Sequence, residues 1–217
     1  MTFRMGPPKG GRYAVFGLLL LAAIGAGGCT SSPGPEDDSA YLNQVIEWRA
    51  ERDKTWSETT DPIPADKRSE FLPLPYYPPN TAYAVPAELK LSDTRPVVEL
   101  PTSTGELRRM QIVGTLEFTL NGQKLSLGAL SPAGEPIRSL FVPFADLTTG
   151  TETYKAGRYL DIEPTATGIY TIDFNYAYNP TCAYNNAYSC PYPPPSNRLK
   201  IPVHAGEKAP ADKAPKS

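Results

Sequence analysis

The residues of this chain best suited to chemistry lie in its last third. Arg158, Asp161 and Asp173 supply a guanidinium and two carboxylates, Asn175, Asn179 and Asn197 supply amides that donate and accept, and Tyr184 and Arg198 add a flat ring and a second guanidinium. Arginine beside aspartate either forks onto a ligand carboxylate or closes an internal ion pair. Amides and phenols at this density suit a sugar ring or a peptide. They suit loop building equally well, because Asn side chains tie turns and Tyr hydroxyls pin loops to a core. These eight residues are the candidate ligand-binding set, with both readings open. Asp161 and Asp173 would also serve glycoside hydrolysis, if the fold set their carboxyls at the required separation.

Other chemistries lack their residues. The chain has a single histidine, His204, and no Gly-x-Ser-x-Gly elbow, so a Ser-His-Asp machine has no signature. No glycine loop cradles phosphate, no His/Cys cluster binds zinc, and no Asp-x-Asp-x-Asp loop spaces carboxylates for calcium. No catalytic residue, metal or cofactor is assigned, and the reading leans towards a protein that is not an enzyme.

Before these residues comes an address. Arg4, Lys9 and Arg12 precede the apolar run Tyr13 to Ile24 and the small residues Gly25-Ala26-Gly27-Gly28, the order of a secretory signal. The run is shorter than the roughly 20 residues a membrane-crossing helix needs. Ala26-Gly27-Gly28-Cys29 resembles the lipobox of bacterial lipoproteins, with Ala26 where that pattern prefers Leu. The resemblance implies cleavage before Cys29, a diacylglyceryl thioether with palmitate-type acylation on it, and export to a bacterial membrane. Thr30 is not the Asp that retains lipoproteins at the inner membrane, so a Gram-negative host would carry the protein on its outer membrane, facing the periplasm.

Removing residues 1–28 removes three basic side chains and no acids, leaving 18 basic against 23 acidic, a balance of −5. Nothing basic remains that would suit nucleic acid. The expected partners are the membrane, through the lipid, and a polar ligand (glycan or peptide) or an envelope protein. Cys182 and Cys190 are then an even pair in an oxidising compartment, and a disulfide between them is expected.

The elements that must position these groups are mainly β. Residues 29–38 read as a flexible tether, 39–204 as a single domain and 205–217 as a disordered tail. After Ser39, a candidate cap, Tyr41, Val45, Trp48 and Arg52 recur at helical spacing, with Leu42 and Ile46 widening the face, which predicts an amphipathic helix over about 40–56. A shorter helix is expected over 65–71. Prolines then break helices, and strands are predicted at 82–91, 97–100, 109–120, 123–130, 139–144, 158–162, 169–176 and 199–204, with Asn121-Gly122 as a two-residue hairpin turn. The expected fold is an antiparallel sandwich or partly open barrel of about eight strands, with the helix on one end or edge.

Gly157-Arg158-Tyr159-Leu160-Asp161, Asp173-Phe174-Asn175, Ala177-Tyr178-Asn179-Pro180, Cys182-Ala183, Cys190-Pro191, Asn197-Arg198-Leu199 and Ala205-Gly206-Glu207-Lys208 together carry a resemblance. Over roughly residues 40–208 the chain resembles the bacterial family known as domain of unknown function 1684. The resemblance names a family and no activity. The functional expectation is an envelope lipoprotein, a binding or structural module acting through the Asn/Tyr/Pro-rich loop 175–198, with a glycan or cell-wall hydrolase using paired carboxylates as the alternative.

Overall fold

Side chains four, three and four residues apart stack on one side of a helix. In the computed structural model, which describes residues 38–59 and 61–210, that helix is α1, Asp38–Glu58. Val45 is buried, and Tyr41, Trp48, Arg52 and Trp56 are half-buried along the same side. Ile46, expected to widen the apolar face, is 51% exposed. Its place is taken by Arg49, whose guanidinium donates to the Tyr77 carbonyl at 2.8 Å and the Asn175 carbonyl at 3.1 Å and lies over the Tyr76 ring. Polar anchoring, invisible to an apolar period, therefore turns the helix. The second predicted helix is a 3-10 turn at Ala65–Lys67 running into the single turn of α2, Arg68–Phe71.

Seven strands follow: β1 Ala84–Leu91, β2 Val97–Pro101, β3 Leu107–Leu120, β4 Gln123–Pro132, β5 Leu140–Phe144, β6 Arg158–Ile162 and β7 Ile169–Asp173. They form one antiparallel sheet curled into a half-barrel, in the order β6-β5-β4-β3-β1-β7, with β2 paired to β3 off this path. The β3–β4 hairpin turns at Asn121 (φ 51°) and Gly122 (φ 74°), the positive angles expected of that dipeptide. β3 slips register between Ile112 and Gly114, a bulge that bends the strand; before it β3 pairs with β2 and after it with β1 on one side, while β4 stays paired on the other. β7 stops at Asp173 because its carboxylate caps the next turn, accepting the Asn175 N–H at 2.9 Å.

The eighth predicted strand, 199–204, is not a strand. Its alternation is real, since Leu199, Ile201 and Val203 are buried and Lys200, Pro202 and His204 exposed, but it lies beside the end of β5 with only scattered backbone bonds. The Val203 carbonyl is taken by Arg158 and the Val203 N–H by Asp146, so side chains occupy groups a ladder would have used. The tail expected from residue 205 is also ordered as far as 210. Ala205, Gly206, Glu207 and Ala209 are buried, and the Gly206 carbonyl accepts from Tyr77 while the Lys208 N–H donates to Pro75. A Cβ on Gly206, at φ +74°, would meet the Phe174 and Ala177 carbonyl oxygens at 2.6 Å, so only glycine passes there. The short-side-chain composition that suggested disorder is what lets the segment slip through.

The main core fills the concave side of the sheet, with Leu116, Phe118, Leu127, Val142, Phe144 and Phe174 among its fully packed members. A second apolar cluster lies between the α1–α2 region and the family-hallmark loops, joining Ile63, Phe71 and Leu74 to Tyr154, Tyr159, Cys182, Tyr184 and Cys190. The signal segment, Cys29, the tether as far as Asp37 and residues 211–217 lie outside the described residues, and Asp38, expected to end the tether, begins α1.

Candidate functional site

Side chains alternate along a strand, so Arg158-Tyr159-Leu160-Asp161 on β6 splits between two faces. Leu160 faces the main core, and Arg158 packs its guanidinium over the Phe144 ring. Tyr159 and Asp161 face the other way, into a cleft of about 600 Å³. Phe141 of β5 and Tyr178 extend its aromatic wall, Arg108, Arg109 and Met110 come from the bent start of β3, and Thr181, Ser189, Cys190 and Pro191 close it from the hallmark loop. The rings meet edge to face, Phe141 to Tyr159 at 4.7 Å and Tyr159 to Tyr178 at 5.8 Å between centroids. Tyr159 Oη donates to the Pro191 carbonyl at 2.6 Å, and Tyr178 Oη donates to Asp161. Burial, then the Asp161 charge, pushes the Tyr178 phenol well above its ordinary pKa, so it is a hydrogen-bond donor at any physiological pH.

Of the eight candidate ligand-binding residues, Asp161 alone lines this cleft. Arg158 is fully buried, paired to buried Asp146 at 2.8 Å and donating to the carbonyls of Val203 (3.0 Å), Ala205 and Glu207 (3.3 Å). Asn175 donates to Tyr41 Oη (2.8 Å) and the Asn80 carbonyl (2.8 Å) and accepts the Asn80 N–H (2.9 Å). Asn179 holds Glu207 Oε1 (3.0 Å), Tyr184 Oη (3.1 Å) and the Lys208 carbonyl (2.7 Å). Tyr184 is wedged edge-on against Trp56 and Phe71. Asn197 bonds both the N–H (2.7 Å) and carbonyl (2.9 Å) of Gly128 and the Pro143 carbonyl (2.8 Å). Those five are buried, and apart from Arg158 Nε and Asn179 Oδ1, which have no hydrogen-bond partner among the described residues, their polar groups are taken by backbone or side-chain partners inside the fold, the pattern of a scaffold. Arg198 is exposed on a separate groove of about 230 Å³ beside Lys155 and Tyr192.

The paired-carboxylate idea loses its geometry. Asp161 belongs to the cleft, whereas Asp173 accepts Tyr41 Oη at 2.7 Å and Asn175 Nδ2 at 3.0 Å where α1 crosses the end of β7, and it is not part of the cleft wall. His204 is exposed and sits 3.3 Å from Glu152. Among the described residues no group of three or more His, Cys, Asp or Glu side chains is placed to hold a metal ion.

The expected disulfide is not formed: Cys182 and Cys190 are both thiols. They are nevertheless neighbours, since the Cys182 N–H donates to Cys190 Sγ at 3.2 Å. The neighbouring Cys182 thiol, the Thr181 side chain, the Cys182 N–H and Arg108 pull the Cys190 pKa down against the effect of burial, while the neighbouring sulfur and burial push Cys182 up. The parts of the cleft that sequence reasoning missed, Arg108, Arg109 and Phe141, carry no local signal. Arginines at a strand start look like any solvated pair until a bulge bends them over the aromatic wall.

Fold and site together define an antiparallel half-barrel that builds one polar, aromatic-walled cleft beside a dithiol. The chain belongs to the family described as protein of unknown function DUF1684, whose model matches residues 69–208. A solution structure of the uncharacterized protein from gene locus rrnAC0354 of Haloarcula marismortui is similar, with 40% sequence identity, a TM-score of 0.64, and coverage of 82% of this chain and 98% of that one. Among curated proteins, nothing matches.

Proposed function

We propose that this protein is a non-catalytic binding module that takes an oligosaccharide in the cleft beside Tyr159, exported and held at a membrane by a lipid on Cys29. The observation that carries the reading is the composition of one wall against the other. Phe141, Tyr159 and Tyr178 offer apolar ring surface, while Asp161, Glu135 and Arg109 place planar charged groups around it. Sugars present that combination, C–H faces for rings and hydroxyls for carboxylates and guanidinium groups. The sequence from Tyr13 to Cys29 supports the address, and among the described residues no helix is long and apolar enough to cross a membrane.

A thermal-shift screen of the protein against oligosaccharides and short peptides tests this. A ligand at a hundred times its Kd stabilises by about 2.7 kcal/mol, a rise of roughly 5–11 °C for a domain of this size. Arg109→Ala and Asp161→Asn, both at exposed positions, should abolish the shift and leave the unliganded melting point within about 1 °C of wild type. Shifts from peptides alone would replace the sugar by a peptide. No shift from any compound, or one that survives both substitutions, would sink the reading.

A further inference from the structure

The two cysteines are not equivalent, and the difference has chemical content. Cys190 is part of the cleft wall, between Ser189 and Pro191, and its backbone is clamped on both sides: its carbonyl accepts the Ser103 N–H at 2.9 Å and its N–H donates to Ser103 Oγ at 3.1 Å. Cys182 is not part of the cleft wall, although both cysteines belong to the apolar cluster with Ile63, Phe71 and Tyr154. Polar groups converge on the Cys190 sulfur, the Cys182 N–H as donor and the Thr181 hydroxyl as either donor or acceptor. The Cys182 N–H lies at 3.2 Å and Thr181 Oγ1 at 3.5 Å, and Arg108, itself held by the Ser189 carbonyl at 3.2 Å, adds positive charge from the rim. A sulfur that accepts hydrogen bonds beside a cation is a stabilised thiolate, the form that attacks. The residue whose N–H touches that sulfur carries the second thiol, placed to resolve whatever the first one captures.

We propose that Cys190 and Cys182 form a thiol–disulfide exchange site in the cleft, with Cys190 as attacking thiolate, Cys182 as resolving thiol and an aliphatic disulfide as the oxidant. The Cys190 thiolate attacks one sulfur of R–S–S–R, forming a mixed disulfide and releasing R–S⁻, which takes up a proton. Cys182 gives up its proton and attacks the Cys190 sulfur, closing the Cys182–Cys190 disulfide and releasing the second R–SH. The net change converts a protein dithiol and R–S–S–R into a protein disulfide and two R–SH. The loop between the cysteines is exposed at Asn186 and Ala187, so it can absorb the movement that brings the sulfurs together. The disulfide expected from sequence and the dithiol of the structure are then two states of one couple. The exchange does not depend on the oligosaccharide, and it stands or falls separately.

The test uses the full chain carrying Cys29→Ser, so that only these two thiols remain, with oxidised glutathione as the probe. Wild-type cysteines should yield the internal disulfide without a persistent adduct by intact mass. Cys182→Ser, which keeps the backbone N–H that donates to Cys190, should accumulate a stable glutathione adduct, and Cys190→Ser should not. The rate of adduct formation should rise with pH through a midpoint clearly below that of an ordinary thiol, which is about 8.5. Lower basicity weakens a thiolate, so its advantage over an ordinary thiol should be small near neutrality and grow as the pH falls. Brief iodoacetamide labelling at pH 6 with peptide mapping, on the chain with both cysteines intact, should mark Cys190 before Cys182. Preferential labelling of Cys182, a midpoint at pH 8 or above, or a lasting mixed disulfide with both cysteines present would each overturn the assignment.

Discussion

Replacing Arg158 separates a structural reading of the hallmark motif from a ligand-binding one. Its guanidinium and the Asp146 carboxylate are both wholly removed from solvent, 2.8 Å apart, and the same guanidinium reaches the carbonyls of Val203, Ala205 and Glu207. Asp146 in turn accepts from the Thr148 N–H at 2.7 Å, from its hydroxyl at 2.6 Å and from the Val203 N–H at 3.3 Å. Arg158→Met keeps the length and apolar packing over Phe144 but leaves an uncompensated buried carboxylate, a change that costs about 3–5 kcal/mol. At about 2–4 °C per kcal/mol the melting point should fall by roughly 6–20 °C. The orphaned charge carries much of that loss, so adding Asp146→Asn to Arg158→Met should recover part of it, because an amide still accepts from Thr148 and Val203. Urea unfolding of wild type, both single variants and the double variant gives the cycle, and hydrogen exchange should show the 203–208 amides losing protection first. An Arg158→Met protein within about 1 kcal/mol of wild type, or a double variant no more stable than Arg158→Met, would refute the argument.

Two further outcomes follow from the same network. β4 and β5 share only the Leu130/Phe141 pair in register, and Asn197 bridges the gap through Gly128 and Pro143. Asn197→Ala should therefore cost about 2–4 kcal/mol in urea unfolding, with increased exchange at the Gly128 amide, whose acceptor is Asn197 Oδ1. Glu207 is fully buried, and burial raises its pKa to about 7 despite Arg52 at 3.4 Å and the Asn179 donors. Between its unfolded value of 4.5 and about 7 the folded state binds more protons than the unfolded one, so this group makes stability fall as pH rises through that window and flatten above it. Glu207→Gln should remove that component of the slope in melts taken from pH 4.5 to 7.5, and an unchanged slope would count against the raised pKa.

Most of the sheet was legible because its information is local. Alternation marks strands where one face is buried, as in Leu116, Phe118 and Leu120, and Asn121-Gly122 fixes the turn that follows. What failed was set by distant partners. The burial of Arg49 depends on carbonyls 28 and 126 residues away, and residues 199–204 keep a strand's alternation but lose its ladder because Arg158 and Asp146 claim the Val203 backbone. The tail after Ala205 looked disordered because small and charged residues cannot fill a core alone, yet Glu207 is buried by Asn179 and Arg52. The site was half legible for the same reason. Asp161, Tyr159, Tyr178 and Cys190 stand in the hallmark stretch, whereas Arg108 and Arg109 join them only because β3 bends at a bulge.

A family hallmark with this many polar residues invites a functional reading, and the strand geometry shows why that inference is only half right. Within Arg158-Tyr159-Leu160-Asp161 the two even-numbered residues serve the interior and the two odd-numbered ones reach the cleft. A similar division holds across the loop, where Asn175, Asn179 and Asn197 spend their Nδ2 groups on the Asn80 backbone, the 207–208 segment and the β4–β5 gap, while Tyr178, Thr181 and Cys190 line the cleft. The buried amides exist because a proline-rich loop has few N–H groups with which to close its own ladders, so side chains must supply the missing donors. Substitutions on the buried half should therefore be read out as stability, and one at an exposed cleft position such as Asp161 as binding at nearly unchanged stability, whereas Tyr159 and Cys190 line the cleft but are also buried and serve both. A hallmark residue that violated this division, losing function without moving the melting point although it is buried and fully bonded, would mean that the loop itself moves during the protein's work.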